Sequence, residues 1–147
     1  SPTNSIFTLG NSDVNESEAI VCYAWAPIQG FSKFGTYEGN NNADGTFVYL
    51  GFKPAFVIIK NIDGTGDEWV MLTGKIATGT NSNPLTDALY ANTTGAETGT
   101  YTLDFLSNGF KIRHTSGATN TDDETYSYMA WAEQPFVSSK GVPCTAR

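Results

Sequence analysis

Residues 101–114 read Tyr-Thr-Leu-Asp-Phe-Leu-Ser-Asn-Gly-Phe-Lys-Ile-Arg-His and carry the clearest structural signal in the chain. Two runs rich in aromatic and aliphatic residues flank the turn residues Ser107, Asn108 and Gly109. An Asn-Gly pair accepts positive φ at both central positions of a tight turn, which suits a two-residue connection between antiparallel strands. The stretch therefore predicts a hairpin between Tyr101–Leu106 and Phe110–His114.

The same pattern of short apolar segments between Gly- and Asn-rich turns continues in both directions from this hairpin. This spacing is typical of all-β sandwiches and jelly rolls. We therefore predict an all-β fold, an antiparallel β-sandwich or jelly-roll-like single domain with about ten strands. The predicted strands are Ser5–Leu9, Ala19–Ala26, Phe31–Glu38, Thr46–Gly51, Phe56–Asn61, Trp69–Leu72, Ala88–Ala91, Tyr101–Leu106, Phe110–His114 and Thr125–Ala132.

Two Gly- and Pro-poor segments, 11–26 and 118–134, also admit a helical interpretation. The second begins with Thr121-Asp122-Asp123-Glu124, which has the form of a helix capping box. Against a helix, residues 125–131 are rich in Thr, Tyr and Trp, which favour strands. A period of two would place Tyr126, Tyr128, Ala130 and Ala132 on one face and Ser127, Met129 and Trp131 on the other. The sequence thus favours strands in both segments, with helices as the alternative.

Composition and charge restrict the partners of the domain. The 147 residues include 8 basic and 15 acidic side chains, a formal net charge of −7, with the basic residues scattered rather than clustered. Proteins that bind nucleic acid need clustered Lys and Arg to neutralise phosphates. No apolar run approaches the roughly 20 residues that cross a bilayer. We therefore expect neither nucleic-acid binding nor membrane insertion.

Two parts of the chain resemble each other. Phe7-Thr8-Leu9 and Cys22–Pro27 correspond to Phe110-Lys111-Ile112 and Tyr128–Pro135, with Ala-Trp-Ala in both copies. We interpret this similarity as an internal repeat of a strand pair. Residues 1–30 are then the terminal strand pair of a preceding repeat unit of a longer parent chain, packing on the main domain. Residues 31–147 form the β-sandwich unit with a C-terminal tail, and the complete repeat ends near Phe136.

The sequence contains no recognisable catalytic or metal motif, so we expect a protein that is not an enzyme and needs no cofactor. His114 is the only histidine and is expected to be an exposed residue at a strand end. The carboxylates of Asp67, Glu68, Asp122, Asp123, Glu124 and Glu133 fit a glycosidase by residue type only. Calcium is the alternative cofactor, because two groups supply hard oxygen ligands at short spacing. These groups are Asn61, Asp63 and Asp67, and Asn120, Asp122 and Asp123.

The two cysteines leave two interpretations open. Cys22 and Cys144 either close a long disulfide loop in an oxidising compartment or remain separate thiols. With only one histidine in the chain, they do not form a structural zinc site.

Aromatic residues beside polar side chains are the physical basis of sugar recognition by β-sandwiches, because rings stack on sugar C–H faces. The candidate glycan contacts are Tyr37, Tyr49, Tyr90 and Tyr101. The remaining large rings are assigned to the core, namely Phe34, Phe52, Phe56, Trp69, Phe105 and Phe110, with Trp25 and Trp131 as matching anchors of the two repeat halves.

Several blocks in order along the chain resemble a domain of unknown function that recurs in bacteriophage virion proteins, particularly those of marine and cyanobacterial phages. The blocks are residues 30–40 (GFSKFGTYEGN), 43–49 (ADGTFVY), 51–60 (GFKPAFVIIK), 89–92 (LYAN), 104–113 (DFLSNGFKIR), 128–133 (YMAWAE) and 135–147. In that family the unit commonly closes a longer structural or tail-appendage polypeptide, and no catalytic residues are associated with it.

The resemblance implies a location in the virion, outside the cell, and a structural role. The domain is then part of a tail fibre, a head fibre or a capsid decoration element and contributes to host attachment. Its expected partners are other virion proteins, further copies of itself in a homo-oligomer with a trimer favoured, and a host surface glycan. A lectin-like receptor-binding module is the alternative function, and a glycan-degrading enzyme is the least favoured.

Overall fold

The computed structural model describes residues 21–75, 83–99 and 101–134. Within these ranges the chain forms eight β-strands and one helix of four residues. In chain order the elements are β1 (Ser32–Glu38), β2 (Phe47–Tyr49), β3 (Pro54–Asn61), β4 (Val70–Thr73), β5 (Leu89–Tyr90), β6 (Leu103–Leu106), β7 (Gly109–Ile112), α1 (Gly117–Asn120) and β8 (Thr125–Ala132).

The strands form two antiparallel sheets. A five-stranded sheet has the order β1-β8-β3-β4-β5, and a three-stranded sheet has the order β2-β7-β6. Antiparallel sheets bury one face and expose the other, and side chains from the two inner faces form the core. The predicted all-β antiparallel sandwich is confirmed.

Strand β8 lies in the centre of the large sheet, paired with β1 on one side and β3 on the other. Its side chains alternate as the period of two predicts. Tyr126, Tyr128 and Ala130 are buried, whereas Met129 and Trp131 are half-buried on the opposite face. The strand interpretation of 125–132 is therefore confirmed, and helical structure in this segment is limited to α1.

The two sheets are joined by aromatic rings from their facing strands. Phe110 of β7 makes edge-on contacts with Tyr37 of β1 and Tyr128 of β8, at centroid distances of 6.0 and 5.6 Å. Tyr37 and Tyr126 stack on each other at 5.1 Å. Edge-on and offset-stacked ring pairs of this kind stabilise by about 0.5–1.5 kcal/mol each beyond the burial of their area.

The predicted hairpin is present, but its turn is shifted by one residue. Leu106 pairs with Gly109, so that Ser107 and Asn108 form the two-residue loop. Neither Asn108 nor Gly109 has the positive φ that the Asn-Gly pattern predicted. Gly109 is required for a different reason, because a Cβ atom there would lie 2.1 Å from the carbonyl oxygen of Val48 on β2.

Eight of the ten predicted strands are present, Thr125–Ala132 with the predicted bounds and the other seven with shifted ends. Strand Ser5–Leu9 lies outside the described residues. The prediction of a strand at Ala19–Ala26 is wrong for the residues that the structure describes, because residues 21–27 form neither a strand nor a helix. The helical alternative is wrong there for the same reason. This segment is positioned by a ring contact between Trp25 and Trp131 at 6.4 Å.

The two strands of the later copy of the predicted repeat lie in different sheets, β7 in the small sheet and β8 in the large one. Phe110 of β7 and Tyr128 of β8 meet across the core. In the earlier copy, residues 22–27 form no strand, and Phe7–Leu9 lies outside the described residues. The repeat itself stays a prediction.

The close approach of β2 to β7 at Gly109 predicts a specific cost for a side chain at this position. Gly109→Ala should lower the free energy of unfolding by about 1–3 kcal/mol, because the backbone of β2 must move to admit a methyl group. Gly95→Ala is the matched control, since the nearest atom to its Cβ, Thr93 Oγ1, is 3.6 Å away. Urea unfolding of both variants measures the difference, and equal stability would contradict the role assigned to Gly109.

Candidate functional site

Strand β2 exposes two aromatic rings on the outer face of the small sheet. Val48 pairs with Phe110 and is buried, so its neighbours Phe47 and Tyr49 point away from the core. Phe47 is 43% exposed and Tyr49 is 59% exposed. Residues two apart on a strand lie about 6.7 Å apart. The two rings therefore form a short aromatic surface, which we call the β2 platform.

Tyr49 lies opposite a glycine of the neighbouring strand. Its cross-strand partner on β7 is Gly109, which is buried and contributes no side chain to the outer face. The ring of Phe47 lies against this glycine, with Cε2 3.1 Å from the position that a Cβ atom would take. Gly51, which has a φ of 84°, lies near the hydroxyl end of the ring.

Lys33 reaches the platform from the other sheet. It lies on the edge strand β1, and its Nζ donates a hydrogen bond to the carbonyl oxygen of Tyr49 at 2.6 Å. The same ammonium lies 5.3 Å from the centroid of the Tyr49 ring. A Lys ammonium within about 6 Å of an aromatic centroid is attracted by the negative face of the ring. Lys33 thus ties the edges of the two sheets together and places a positive charge beside an exposed ring.

The Phe47 end of the platform is electrostatically different. Lys111, the cross-strand partner of Phe47, forms an ion pair of 2.6 Å with Asp44. Arg113 contacts both Asp44 and Asp104, at 3.5 and 3.4 Å. The hydrogen bond and charge of Lys111 lower the pKa of Asp44. Positive charges at this end are therefore paired with carboxylates.

The four predicted glycan-contact tyrosines separate into two groups. Tyr49 is exposed and Tyr90 is half-buried, but Tyr37 and Tyr101 lie in the core with exposures of 7% and 4%. The expectation of an exposed ring is therefore wrong for Tyr37 and Tyr101. Burial raises the pKa of both hydroxyl groups. Tyr37 donates to the carbonyl oxygen of Thr119 at 2.7 Å, and the hydroxyls of Tyr90 and Tyr101 lie 3.0 Å apart.

A second aromatic surface lies on the outer face of the large sheet. Trp131 stacks on Phe56 at 5.6 Å and meets Phe34 edge-on at 5.8 Å, and Trp25 and Tyr23 extend the contact outwards. Phe52, Phe105 and Phe110 are in the core as predicted. The core assignment is wrong for Trp25 and Trp69, which are 56% and 40% exposed. It is also wrong for Phe34 and Phe56, which lie half-buried with Trp131 on this outer surface.

The first predicted calcium group is a hydrogen-bonded structural unit. The side-chain oxygen of buried Asn61 accepts the backbone N–H groups of Asp63 and Gly64 at 3.1 and 2.9 Å. Its amide nitrogen donates to carboxylate oxygens of Asp67 and Glu124, both at 2.7 Å. The carboxylate of Asp63 accepts the backbone N–H of Thr125 at 2.7 Å. Hydrogen bonding to the side chain and to the backbone of Thr125 lowers the pKa of Asp63. These bonds fasten the 61–67 turn to the start of β8.

The second predicted calcium group is not assembled. Asn120 is fully buried, and its side chain binds Asn40, Asn42 and His114 through their backbones. Asp122 and Asp123 are exposed, and Asp123 has a φ of 60°. Among the described residues, no three His, Cys, Asp or Glu side chains are arranged to hold a metal ion.

His114 is half-buried rather than exposed at the strand end. Its Nδ1 accepts the backbone N–H of Ser116 at 3.4 Å, which leaves Nε2 to donate to Thr119 Oγ1 at 3.2 Å. Its ring packs edge-on against Tyr101 at 5.2 Å. Burial lowers the pKa of His114. The neutral imidazole therefore belongs to the network that holds α1 against the end of the sandwich.

The other carboxylates considered for a glycosidase, Glu68 and Glu133, do not lie together with His114 in one site. Glu133 pairs with Lys53 at 2.9 Å, and Glu68 is half-buried beside Trp69 in the chain. The cavity lined by Lys53, Glu133, Asn83 and Phe105 has a volume of about 70 Å³. A space of this size holds a few water molecules rather than a sugar.

Phe47 of the β2 platform and the neighbouring Lys33 are the residues of this site that the sequence analysis missed. A period-two interpretation of Phe47-Val48-Tyr49 would have placed Phe47 on the face of Tyr49. Lys33 carries no comparable signal, because its proximity to Tyr49 depends on how two edge strands from different sheets are aligned.

The chain belongs to the family described as Domain of unknown function (DUF7483), whose model matches residues 1–135. The match covers the predicted unit 1–30 and residues 31–135 of the predicted unit 31–147. No curated protein and no solved structure matches the chain. In the part of the chain that the structure describes, no helix has the length and apolar character needed to span a membrane.

The buried environment of His114 predicts a pH-dependent stability. Because its pKa is lowered in the folded state, the unfolded chain takes up a proton first as the pH falls below about 6.5. The free energy of unfolding should therefore decrease between pH 7 and pH 5. His114→Gln should flatten this slope, and urea unfolding across the pH range measures it. An equal pH dependence of the unfolding free energy in both proteins would contradict the role assigned to His114. The interval from pH 7 to pH 5 lies above the range in which Asp44 and Asp63, whose pKa values are lowered, titrate.

Proposed function

We propose that this DUF7483 domain is a non-enzymatic structural component of a bacteriophage virion, exposed on an outer appendage or decoration element. Tail fibres, head fibres and capsid decoration elements are the structures in which such a domain serves host attachment. The resemblance of several sequence blocks, in order along the chain, to bacteriophage virion proteins supports the location. The net charge of −7 also fits a surface turned to solvent rather than to the phage genome.

The observation that carries the attachment role is the β2 platform. Two adjacent rings, Phe47 and Tyr49, point outwards from an edge strand, although burial in the sandwich core would remove their apolar surface from water. Exposed aromatic rings on a rigid sheet offer contact area at low conformational cost. A binding surface explains this exposure better than packing does.

Carbohydrate binding is the second candidate function, and Tyr49 is the observation that favours it. Its ring is 59% exposed, and it carries a hydroxyl group at its tip. Sugars stack on such rings through their C–H faces. An attachment appendage and a lectin-like receptor-binding module describe the same molecule if the receptor is a host surface glycan.

The proposal includes self-assembly and interaction with other virion proteins. A symmetric homo-oligomer, with a trimer favoured, is the arrangement that repeats one binding surface several times on an appendage.

The carboxylates of Asp67 and Glu124 support the non-enzymatic part of the proposal, because both accept hydrogen bonds from the buried amide of Asn61. A glycan-degrading activity is the least favoured reading, and release of reducing sugars by the purified domain would support it.

Immunogold labelling of purified virions tests the location. An antibody raised against this domain should label one defined site on intact particles, either the tail or the head surface. Particles that carry no label, while the antibody recognises the purified domain, would contradict the proposal.

The β2 platform predicts which residue the attachment role depends on. Tyr49→Ala should weaken binding to host-cell polysaccharide by about tenfold, the loss expected for one stacked ring. Tyr23→Ala is the matched control, because Tyr23 is 74% exposed on the segment that packs against the other sheet. Binding on a glycan array and to immobilised polysaccharide measures both, and equal losses would contradict a role for β2.

A further inference from the structure

We infer that the Tyr49 end of the β2 platform recognises an acidic sugar, one that carries a carboxylate or a sulfate group. This inference rests on the proposed attachment function and specifies the chemistry of the receptor. It is carried by the position of Lys33, whose ammonium lies beside the exposed Tyr49 ring.

The ammonium of Lys33 has unused hydrogen-bonding capacity. A Lys side chain carries three N–H donors, and the structure shows one bond from Nζ, to the carbonyl oxygen of Tyr49 at 2.6 Å. Within residues 21–75, 83–99 and 101–134, no carboxylate lies at ion-pair distance from this nitrogen. A full positive charge is thus held at the ring with no carboxylate counter-ion among the described residues.

Other basic side chains of the sandwich bind carboxylates or a backbone carbonyl. Lys53 is paired with Glu133, and Lys111 and Arg113 are paired with Asp44. Lys60 donates to the carbonyl oxygen of Asn61 and lies on β3 of the large sheet. Of the described cations, Lys33 is the one held against an exposed aromatic ring.

The combination of a ring and a neighbouring ammonium matches an anionic sugar. Because the Lys33 ammonium lies over one face of the Tyr49 ring, a hexose stacks through its C–H groups on the other face, with its charged substituent at the edge of the ring nearest Lys33. The flexible stem of Lys33 allows the ammonium to reach a substituent there and form a charge-assisted hydrogen bond. Phe47, about 6.7 Å along β2, then contacts the next sugar of the chain.

The acidic character of the whole protein makes this recognition specific. With a net charge of −7, the domain has no general attraction for polyanions. Binding to an acidic polysaccharide therefore requires a local cation, and the strength of that binding should decrease as salt is added.

Binding of the purified chain to paired polysaccharides tests the inference. The probes are polygalacturonate and the same polymer with its carboxylates reduced to alcohols, together with sulfated carrageenan and neutral agarose. The wild-type domain should bind at least one acidic polymer about tenfold more tightly than its neutral counterpart. Preference for polygalacturonate identifies a carboxylate as the recognised group, and preference for carrageenan identifies a sulfate.

Substitutions of Lys33 locate the preference. Lys33→Gln should remove the difference between acidic and neutral polymers, Lys33→Arg should retain it, and Lys60→Gln is the matched control that should leave it unchanged. Thermal unfolding verifies that each variant is folded, and the comparison of polymers on the wild-type protein stands even if Lys33→Gln does not fold.

Two results would overturn the inference and are distinguishable. Binding of acidic and neutral polymers with equal strength, lost in Tyr49→Ala, would refute recognition of charge while leaving the glycan-binding function intact. Absence of binding to every polymer and to host cells would refute both.

Discussion

The contact of Phe110 with Tyr37 and Tyr128 is the interaction on which the remaining architecture depends. It joins the two sheets, and it fixes the inner face of β7. Because Val48 is the cross-strand partner of Phe110, Val48 must also face the core, and the residues on either side of it must face solvent. The exposure of Phe47 and Tyr49 is therefore a direct consequence of core packing and strand register. A shift of one residue in the pairing of β2 with β7 would bury both rings and expose Val48.

The ends of the sandwich are held by polar side chains whose hydrogen bonds are directed at the backbone. Asn61 anchors the turn between β3 and β4, and Asn120 anchors the loop between β1 and β2. Tyr126 donates to the carbonyl oxygen of Gly117 at 2.6 Å and accepts the N–H of Thr121 at 2.8 Å. Buried polar groups are tolerated when they are bonded in this way. The residue types that suggested metal binding in the sequence thus close loops.

The fold class and most strands could be predicted from the sequence, because alternation and turn residues are local properties. Strand β8 shows this most clearly, since its eight residues alternate between core and surface as predicted. The faces of β1 could not be predicted in the same way. Its alternation places Phe34 and Tyr37 on opposite faces and does not say which face is inside. The structure buries Tyr37. Gly35 lies beside Tyr37 on the inner face and leaves room for Tyr128, whose hydroxyl lies 2.9 Å from the position of a Cβ atom at Gly35. Residues such as Lys33 and Tyr49 come together through the alignment of two sheets, which no local pattern records.

The central claim is that the β2 platform, rather than the aromatic surface on the large sheet, is the recognition surface of this domain. A titration of the ¹⁵N-labelled protein with oligosaccharides of the receptor polysaccharide, followed by two-dimensional NMR, tests this claim most directly. The account predicts saturable shift changes of the backbone amides of Lys33, Phe47, Tyr49 and Gly109. Shift changes confined to Tyr23, Trp25 and Trp131, or no shift changes with an oligosaccharide that blocks attachment, would contradict it.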